Sequence, residues 1–313
     1  MTTLPLPVAR AAERRAVARP VPAPDRVPAS VLGEVRAFAR ARPDALADLE
    51  RVDIEALSWP CTREYARRLR GRLLYGERWC HVQLGTEASA DERRLLFLAI
   101  GAGLGTPLTT YGRLYAVCDR GADYRTSTAP VSMTRERTGF HTDSSARDVV
   151  PSFVGLLCER PALEGGESLV SDALAAGRAV ARRAPEAWRL LQRAYVRDLV
   201  TPGLEPTPEA LAANRFPVFA RDPAQPHGWT FRYMRYWLER GQERAGEPVS
   251  AEVRAALDLL DEELAAPEHV VRFRLDAGDM LWVDNRTLAH DRSAFTDDPA
   301  APRLLWRMWV EVR

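Results

Sequence analysis

Apolar positions along this chain follow two regimes. From about residue 30 to 104 they recur at helical spacing, and from 105 onward they fall into short runs broken by turn residues. Val31, Val35 and Phe38 predict a helix from a Ser30 cap to about Arg40. Pro43-Asp44 predicts a short helix to Glu50, and Tyr65, Leu69 and Leu73 predict one over Thr62 to Tyr75. A strand is expected at Cys80 to Leu84. Ser89-Ala90-Asp91-Glu92 has the form of a capping box ahead of an apolar helix, Leu95 to Gly103.

After Gly105-Thr106-Pro107 the runs Tyr115–Cys118, Phe153–Cys158, Ser168–Ser171, Phe216–Phe219, Thr230–Tyr236, Val270–Leu275, Met280–Val283 and Leu304–Val312 read as strands. Helices interrupt them at about 172–183, 185–195 and 250–266, the last marked by Val253, Leu257, Leu260 and Leu264. Helices first and many short strands afterwards predict a β-sandwich or barrel clad in helices. Residues 1–28, rich in Ala, Arg, Pro and Val without period, are expected to form an extended or poorly ordered arm. No repeat or long linker divides 29–313, which predicts a single domain with its β core at about 105–313.

Composition narrows the class. Basic and acidic residues nearly cancel, 44 against 43, so no global field points to nucleic acid. Cys61, Cys80, Cys118 and Cys158 are widely spaced and form no C-x-x-C pair, which argues against a zinc ribbon or disulfide framework and fits a reducing cytoplasm. No apolar run approaches the roughly 18 residues of a membrane span, and the N-terminus lacks the apolar core of a signal peptide.

The candidate chemistry centres on Gly139-Phe140-His141-Thr142-Asp143-Ser144-Ser145. In an extended segment residues i and i+2 share a face, so His141 and Asp143 would converge on one point. They form either a hydrogen-bonded structural pair or two ligands of a metal. Two histidines and one carboxylate on one face are the ligand set of non-haem Fe(II) oxygenases. A third ligand should then come from another strand. His290 follows the strand signal Gly278-Asp279-Met280-Leu281-Trp282-Val283 and has polar neighbours. Downstream, Arg303 and Arg307 lie i, i+4 on one expected strand, with Leu304, Trp306, Met308 and Val310 facing the other layer. Two interior guanidiniums need anionic partners, either carboxylates that enter the site or internal acids.

Four pieces in order, His141-Thr142-Asp143, Pro161 with Gly165-Gly166-Glu167-Ser168, Asn285 to His290, and Arg303 to Arg307, make residues 95–313 resemble the Fe(II)- and 2-oxoglutarate-dependent oxygenases of the taurine dioxygenase and clavaminate synthase-like family. The resemblance implies a double-stranded β-helix (jelly-roll) core. It implies His141, Asp143 and His290 as iron ligands and Arg303 as partner of the distal carboxylate of 2-oxoglutarate. Ser168 stands where the family usually has a Thr whose hydroxyl assists that carboxylate. Arg307 matches a position that often binds an acidic group of the substrate. The implied reaction consumes O2 and 2-oxoglutarate, releases succinate and hydroxylates an unactivated carbon. Related halogenases carry a small residue in place of the carboxylate ligand, so Asp143 points to hydroxylation, with desaturation or cyclisation as the alternatives.

The expected substrate is a small carboxylate-bearing molecule, an amino acid or derivative, free or carrier-bound. Arg235, in the alternating run Trp229 to Trp237, is a candidate for a second acidic group, although such a strand more often packs a core. The charged stretch 119–137 is either a lid or a solvated loop. A zinc-bound jelly-roll acting as a lyase or isomerase, or a non-catalytic binding module, is the competing expectation. Arg303 separates the two, since a redox-inert site needs no clamp for a cosubstrate.

Overall fold

The computed structural model describes residues 19–84, 87–121 and 131–312. Its largest element is a seven-stranded sheet. Across it run β1 (Asp25–Arg26), β2 (Trp79–Gln83), β13 (Met280–Asp284), β5 (Phe153–Arg160), β16 (Leu304–Glu311) and β3 (Thr106–Pro107), and β4 (Tyr115–Val117) also pairs with β16. Among the described residues of this sheet, β1 and β2 pair in parallel and the other neighbours antiparallel. A smaller antiparallel sheet has the order β12 (Val270–Phe273), β7 (Ser168–Ser171), β14 (Ala289–Arg292). The two sheets share a core. Val154, Leu281, Val283, Leu305 and Trp309 from the large sheet meet Val170, Val271 and Phe273 from the small one.

Helices cover both outer faces. On the large sheet, α1 (Ala29–Ala41), α3 (Pro60–Tyr75) and α4 (Ala90–Leu104) bury Val35, Leu69, Leu73, Leu96, Phe97 and Ile100 with Trp282, Met308 and Val310. On the small sheet, α5 (Ala173–Arg183), α6 (Pro185–Leu191) and α9 (Ala251–Leu264) bury Ala176, Val180, Leu191, Leu257 and Leu260 with Leu169 and Ala289. The result is a four-layer arrangement, helices, sheet, sheet, helices, in which alternate residues of one strand serve different cores. β16 shows this directly: Met308 and Val310 pack under α4, while Leu305, Arg307 and Trp309 take the opposite parity. The described residues also include α2 (Pro43–Ala47), α7 (Pro208–Ala213), α8 (Arg235–Arg244), 3-10 turns at Glu55–Leu57 and Val131–Met133, and three two-stranded ladders. These pair β6 (Glu164–Gly165) with β15 (Phe295–Thr296), β8 (Ala194–Val196) with β9 (Arg215–Pro217), and β10 (Phe219–Arg221) with β11 (Trp229–Phe231).

Local chemistry sets several boundaries as expected. The capping box at α4 is complete: Ser89 accepts from the Glu92 amide and the Glu92 carboxylate accepts from the Ser89 amide. Asp172 caps α5 by accepting from the Ala175 amide. Other boundaries differ. The first helix starts at Ala29 after Pro28 with no side-chain cap, because Pro at that position presets the entry and Ser30 already lies inside the helix. The expected strand 230–236 stops at Phe231, and Arg235 opens α8. The expected strand 216–219 divides between β9 and β10. The expected arm is described from residue 19, and its Asp25–Arg26 form the edge strand β1. Asp25 is held there by Arg72 of α3 at 2.8 Å. Residues 1–18 of that arm and 122–130 of the expected lid lie outside the described residues. Among the described residues no helix is long and apolar enough to cross a membrane.

Candidate metal centre and its two cavities

His290 sits on β14, at the edge of the small sheet, and its alternation turns it away from Ala289, which packs among the helices. The free edge of β14 is used once more. The His141 amide donates to the His290 carbonyl at 3.0 Å and the His290 amide donates to the His141 carbonyl at 2.9 Å, a single antiparallel bridge. This bridge places the two imidazoles with ring centroids 4.6 Å apart. Asp143, two residues beyond His141, brings Oδ1 to 3.8 Å from His141 Nε2 and 3.4 Å from His290 Nε2. The three candidate ligand atoms lie within 4.8 Å of one another.

The segment is fixed on both sides. Thr142 donates its amide to the Tyr233 carbonyl at 2.7 Å, and its hydroxyl accepts from the Tyr233 amide. The Asp143 amide donates to Asn285 Oδ1 at 2.8 Å, and Asn285 Nδ2 donates to the Asp143 and Pro151 carbonyls. Ser144, at φ 79°, turns the chain away immediately afterwards.

Electrostatics prepare the three groups for a cation. His141 Nδ1 lies 2.9 Å from the Gly139 carbonyl, which can only accept, so Nδ1 carries the proton and the Nε2 lone pair faces Asp143. Burial, reinforced by His290, lowers the His141 pKa to about 4, so its ring is neutral at pH 7. Burial opposes ionisation of Asp143, but Arg307 and the two histidines overcome it and hold the carboxyl far below the usual carboxylate range. The neutral His141 ring, the His290 imidazole beside it and one carboxylate are a donor set that suits a divalent transition metal.

The second oxygen of Asp143 is oriented by β16. Trp309 Nε1 donates to Oδ2 at 2.6 Å and Arg307 Nη1 approaches it at 3.2 Å. Arg307 also lies about 5 Å from the ring centroids of Tyr111, Tyr115 and Trp309, and its Nη2 is buried without a hydrogen-bond partner among the described residues.

Two cavities meet at His141, Asp143 and Arg307, and His290 faces the second. The first, about 550 Å³ of space open to solvent, is lined by His141, Asp143 and Arg307 together with Tyr111, Ser145, Arg197, Thr201, Phe216, Tyr233 and Trp237. The second, about 630 Å³, is lined by His141, Asp143, His290, Ser168, Arg292, Arg303, Arg307 and apolar residues that include Leu156 and Leu281. Arg303 is 4% exposed, and its Nη1 has no hydrogen-bond partner among the described residues. Burial, then the neighbouring Arg292, lowers its pKa to about 10, so it remains a cation at neutral pH. A buried guanidinium with an unused donor, in a cavity reaching the three ligand candidates, fits an anionic molecule that enters beside the metal.

The Gly165-Gly166 turn lies against the Arg303 side chain. Both have positive φ, at 69° and 66°. A Cβ on Gly165 would lie 2.2 Å from the Ala294 carbonyl oxygen, and one on Gly166 would lie 3.3 Å from Arg303 Nε.

His141, Asp143, His290, Ser168, Arg303 and Arg307 therefore gather as the sequence pattern anticipates. Arg235 does not. As the first residue of α8 it is engaged by Glu239 at 3.0 Å, Asp258 at 2.6 Å and Asp261 at 2.9 Å, and it lines neither cavity. Its expected meeting with a substrate acid is corrected to a clamp between α8 and α9. Ser132 and Thr138, flanking the undescribed part of the 119–137 stretch, line or border the second cavity, and Arg137 pairs with buried Asp291 at 2.6 Å. Sequence reasoning missed Trp309, whose i, i+2 relation to Arg307 would have revealed it, and Arg197, for which no local signal exists.

Comparison with known proteins agrees with this geometry. Residues 83–309 match the family model described as taurine catabolism dioxygenase TauD, TfdA family. FR-33289 synthase from Streptomyces rubellomurinus (strain ATCC 31215) is 29% identical over 230 residues, covering 71% of this chain and 64% of that protein. Uridine-5'-phosphate dioxygenase from a Streptomyces species is 33% identical over 185 residues, covering 57% of this chain and 63% of that protein. The chain thus aligns with a little under two thirds of the length of these curated relatives.

Among solved structures, asparagine oxygenase in complex with Fe(II), 2S,3S-3-hydroxyasparagine and succinate superposes with a TM-score of 0.66 at 20% identity, covering 91% of this chain and 92% of that one. The non-heme iron oxygenase OrfP in complex with Fe and alpha-ketoglutaric acid gives 0.60 at 15% identity, covering 92% and 94%. These two likenesses concern the fold. Because the family match runs from the end of β2 into β16, across both sheets and every candidate ligand, the chain belongs to the taurine catabolism dioxygenase TauD, TfdA family.

Proposed function

We propose that this chain is an Fe(II)- and 2-oxoglutarate-dependent dioxygenase that hydroxylates an unactivated C–H bond of a small, acidic substrate of amino-acid type, and that its two facing sheets are a double-stranded β-helix. One observation carries the reading. His141, Asp143 and His290 converge at the junction of two cavities, and one of those cavities holds Arg303, a buried cation with a free donor. His141 Nε2, His290 Nε2 and an oxygen of Asp143 are the groups that would hold iron. Iron with 2-oxoglutarate and O2 supplies the oxidising power, and succinate and CO2 are the co-products.

The chain's own residues do the positioning. Arg303 pairs with the distal carboxylate of 2-oxoglutarate, with the Ser168 hydroxyl assisting on the same wall. Trp309 and Arg307 fix the Asp143 carboxylate, so that it presents one oxygen inward. Arg307 offers its remaining Nη2 to an acidic group of the substrate. The aromatic wall of the first cavity excludes water from the reacting carbon. Support for an amino-acid-type substrate comes from the structural neighbours, which were solved with hydroxyasparagine and with L-Arg.

The test is a panel of amino acids and acidic derivatives incubated with protein, Fe(II), 2-oxoglutarate and O2. Succinate formation that depends on one panel member, matched by a product 16 mass units heavier, is expected. Succinate released at one slow rate regardless of the added compound would contradict the reading.

A further inference from the structure

The first cavity contains a cation that neither the metal site nor the cosubstrate site uses. Arg197 follows β8 and is 2% exposed, and it lines the same cavity as His141, Asp143 and Arg307. Its Nη2 donates to the Arg232 carbonyl at 3.2 Å, while Nε and Nη1 have no hydrogen-bond partner among the described residues. It has no carboxylate of its own: the adjacent Asp198 is taken by Arg240 at 2.8 Å and by Arg244. A second, half-buried cation stands close by, Arg232, whose guanidinium donates to the Ala146 and Arg147 carbonyls. The Arg197 and Arg232 guanidiniums lie 4.6 and 3.9 Å from the centroid of the same ring, Phe216. Burial and Arg232 both press on the Arg197 charge, lowering its pKa to about 9, so at pH 7 it is still a cation.

A buried guanidinium with two unused donors, beside a second cation, is costly unless an anion joins it. The backbone that carries Arg197 is rigid. The Asn214 carbonyl accepts from its amide at 3.0 Å, and Asn214 Nδ2 donates to its carbonyl at 2.9 Å. Gly241 of α8 presses so close that a Cβ there would lie 2.5 Å from the Arg197 carbonyl carbon. Hydroxyls complete the wall: Ser145 Oγ lies 3.0 Å from Thr201 Oγ1, and both residues line the cavity. A fixed guanidinium beside hydroxyl donors has the chemistry of an oxyanion subsite.

We infer that Arg197 is a specificity-determining residue that binds an oxyanion of the substrate, a carboxylate or a phosphate monoester, at a second anchor apart from Arg307. This rests on the reading that the first cavity takes the substrate. A molecule held by both arginines beside the three ligand candidates has its anionic ends fixed, so the carbon presented to the metal is set by the spacing between them.

The test is calorimetric titration of the full chain with probe pairs that differ in the oxyanion, together with inorganic phosphate alone. The pairs are uridine 5'-monophosphate against uridine, and L-aspartate against L-asparagine. At least tenfold tighter binding of one charged member, weakened by salt, is expected, and the pair that shows it distinguishes phosphate from carboxylate. Arg197→Met should abolish that discrimination while melting at the same or a higher temperature, because it removes an uncompensated buried charge. Arg197→Lys should keep part of it. Absence of discrimination in the wild type, or discrimination that survives in Arg197→Met, overturns the assignment. The visible band that Fe(II) and 2-oxoglutarate give together is read in the same samples. If it is present in both proteins while discrimination is unchanged, only the subsite fails; if it is absent from the wild type, the oxygenase reading fails.

Discussion

Asp143 divides its two oxygens between two tasks. One faces His141 and His290, and the other is held by Trp309 and Arg307. Asp143→Gly should therefore do more than remove a ligand, since it leaves the Arg307 cation buried without its acid. A stability loss of about 3 kcal/mol is expected, readable in a urea titration. Added chloride should restore part of it by occupying the place of the carboxylate beside Arg307. The variant should not hydroxylate, and full hydroxylation would contradict the ligand assignment. The two arginines should separate in binding. Arg303→Met should weaken 2-oxoglutarate about 100-fold, as expected for loss of a charge-assisted pair, and leave Fe(II) binding intact. Arg307→Ala should keep cosubstrate binding and lose substrate-triggered turnover. Collapse of cosubstrate binding in Arg307→Ala would show that the division of roles is wrong. That His141, Asp143, His290 and Arg303 would gather was legible through the resemblance, which rests on four short motifs occurring in order along the chain. Arg235 was misplaced because its partners, Asp258 and Asp261, are contributed by α9, and nothing in its own neighbourhood announces them.

At the scale of elements, alternation along β16 was readable because parity depends on nothing beyond the strand itself. Junctions between elements were less so. Asp172 caps α5 and at the same time pairs with buried Arg78, which precedes β2. Burial opposes the Asp172 charge, but Arg78 and the Ala175 amide outweigh it, so its folded pKa lies below the ordinary value. A depressed carboxylate contributes stability that is fully present above the unfolded pKa of about 4 and is lost as pH falls below it. Asp172→Ala should cost about 3 kcal/mol at pH 7, and the gap from wild type should narrow as pH drops from 5 towards 2. A gap independent of pH would show that the charge contributes nothing. Gly155 makes a similar case within β5. A Cβ there would lie 2.5 Å from the Trp282 ring, which is fully buried on β13 directly opposite, so Gly155→Ala should destabilise by about 1–3 kcal/mol through overpacking. An unchanged unfolding midpoint would mean that the indole moves at no cost.

For the whole molecule, the alternation of helical and short-strand texture foretold helix-clad β structure, and four layers are found. Strand order was not legible, because it is decided by tertiary pairing. β2, from the helical N-terminal region, lies between β1 and β13, and its parallel pairing with β1 joins two early segments of the described chain. The metal centre has the same origin. It exists because one bridge joins His141 to His290 across almost 150 residues of chain, at the place where the small sheet meets the large one.

On the proposed function, this junction holds iron and 2-oxoglutarate together. The direct measurement is an anaerobic optical titration of the wild-type chain with Fe(II) and then 2-oxoglutarate, with Arg303→Met alongside. A weak visible charge-transfer band that needs both additions in the wild type, and far more 2-oxoglutarate in Arg303→Met, is predicted. No band at saturating Fe(II) and 2-oxoglutarate, or an identical titration in the two proteins, would contradict it.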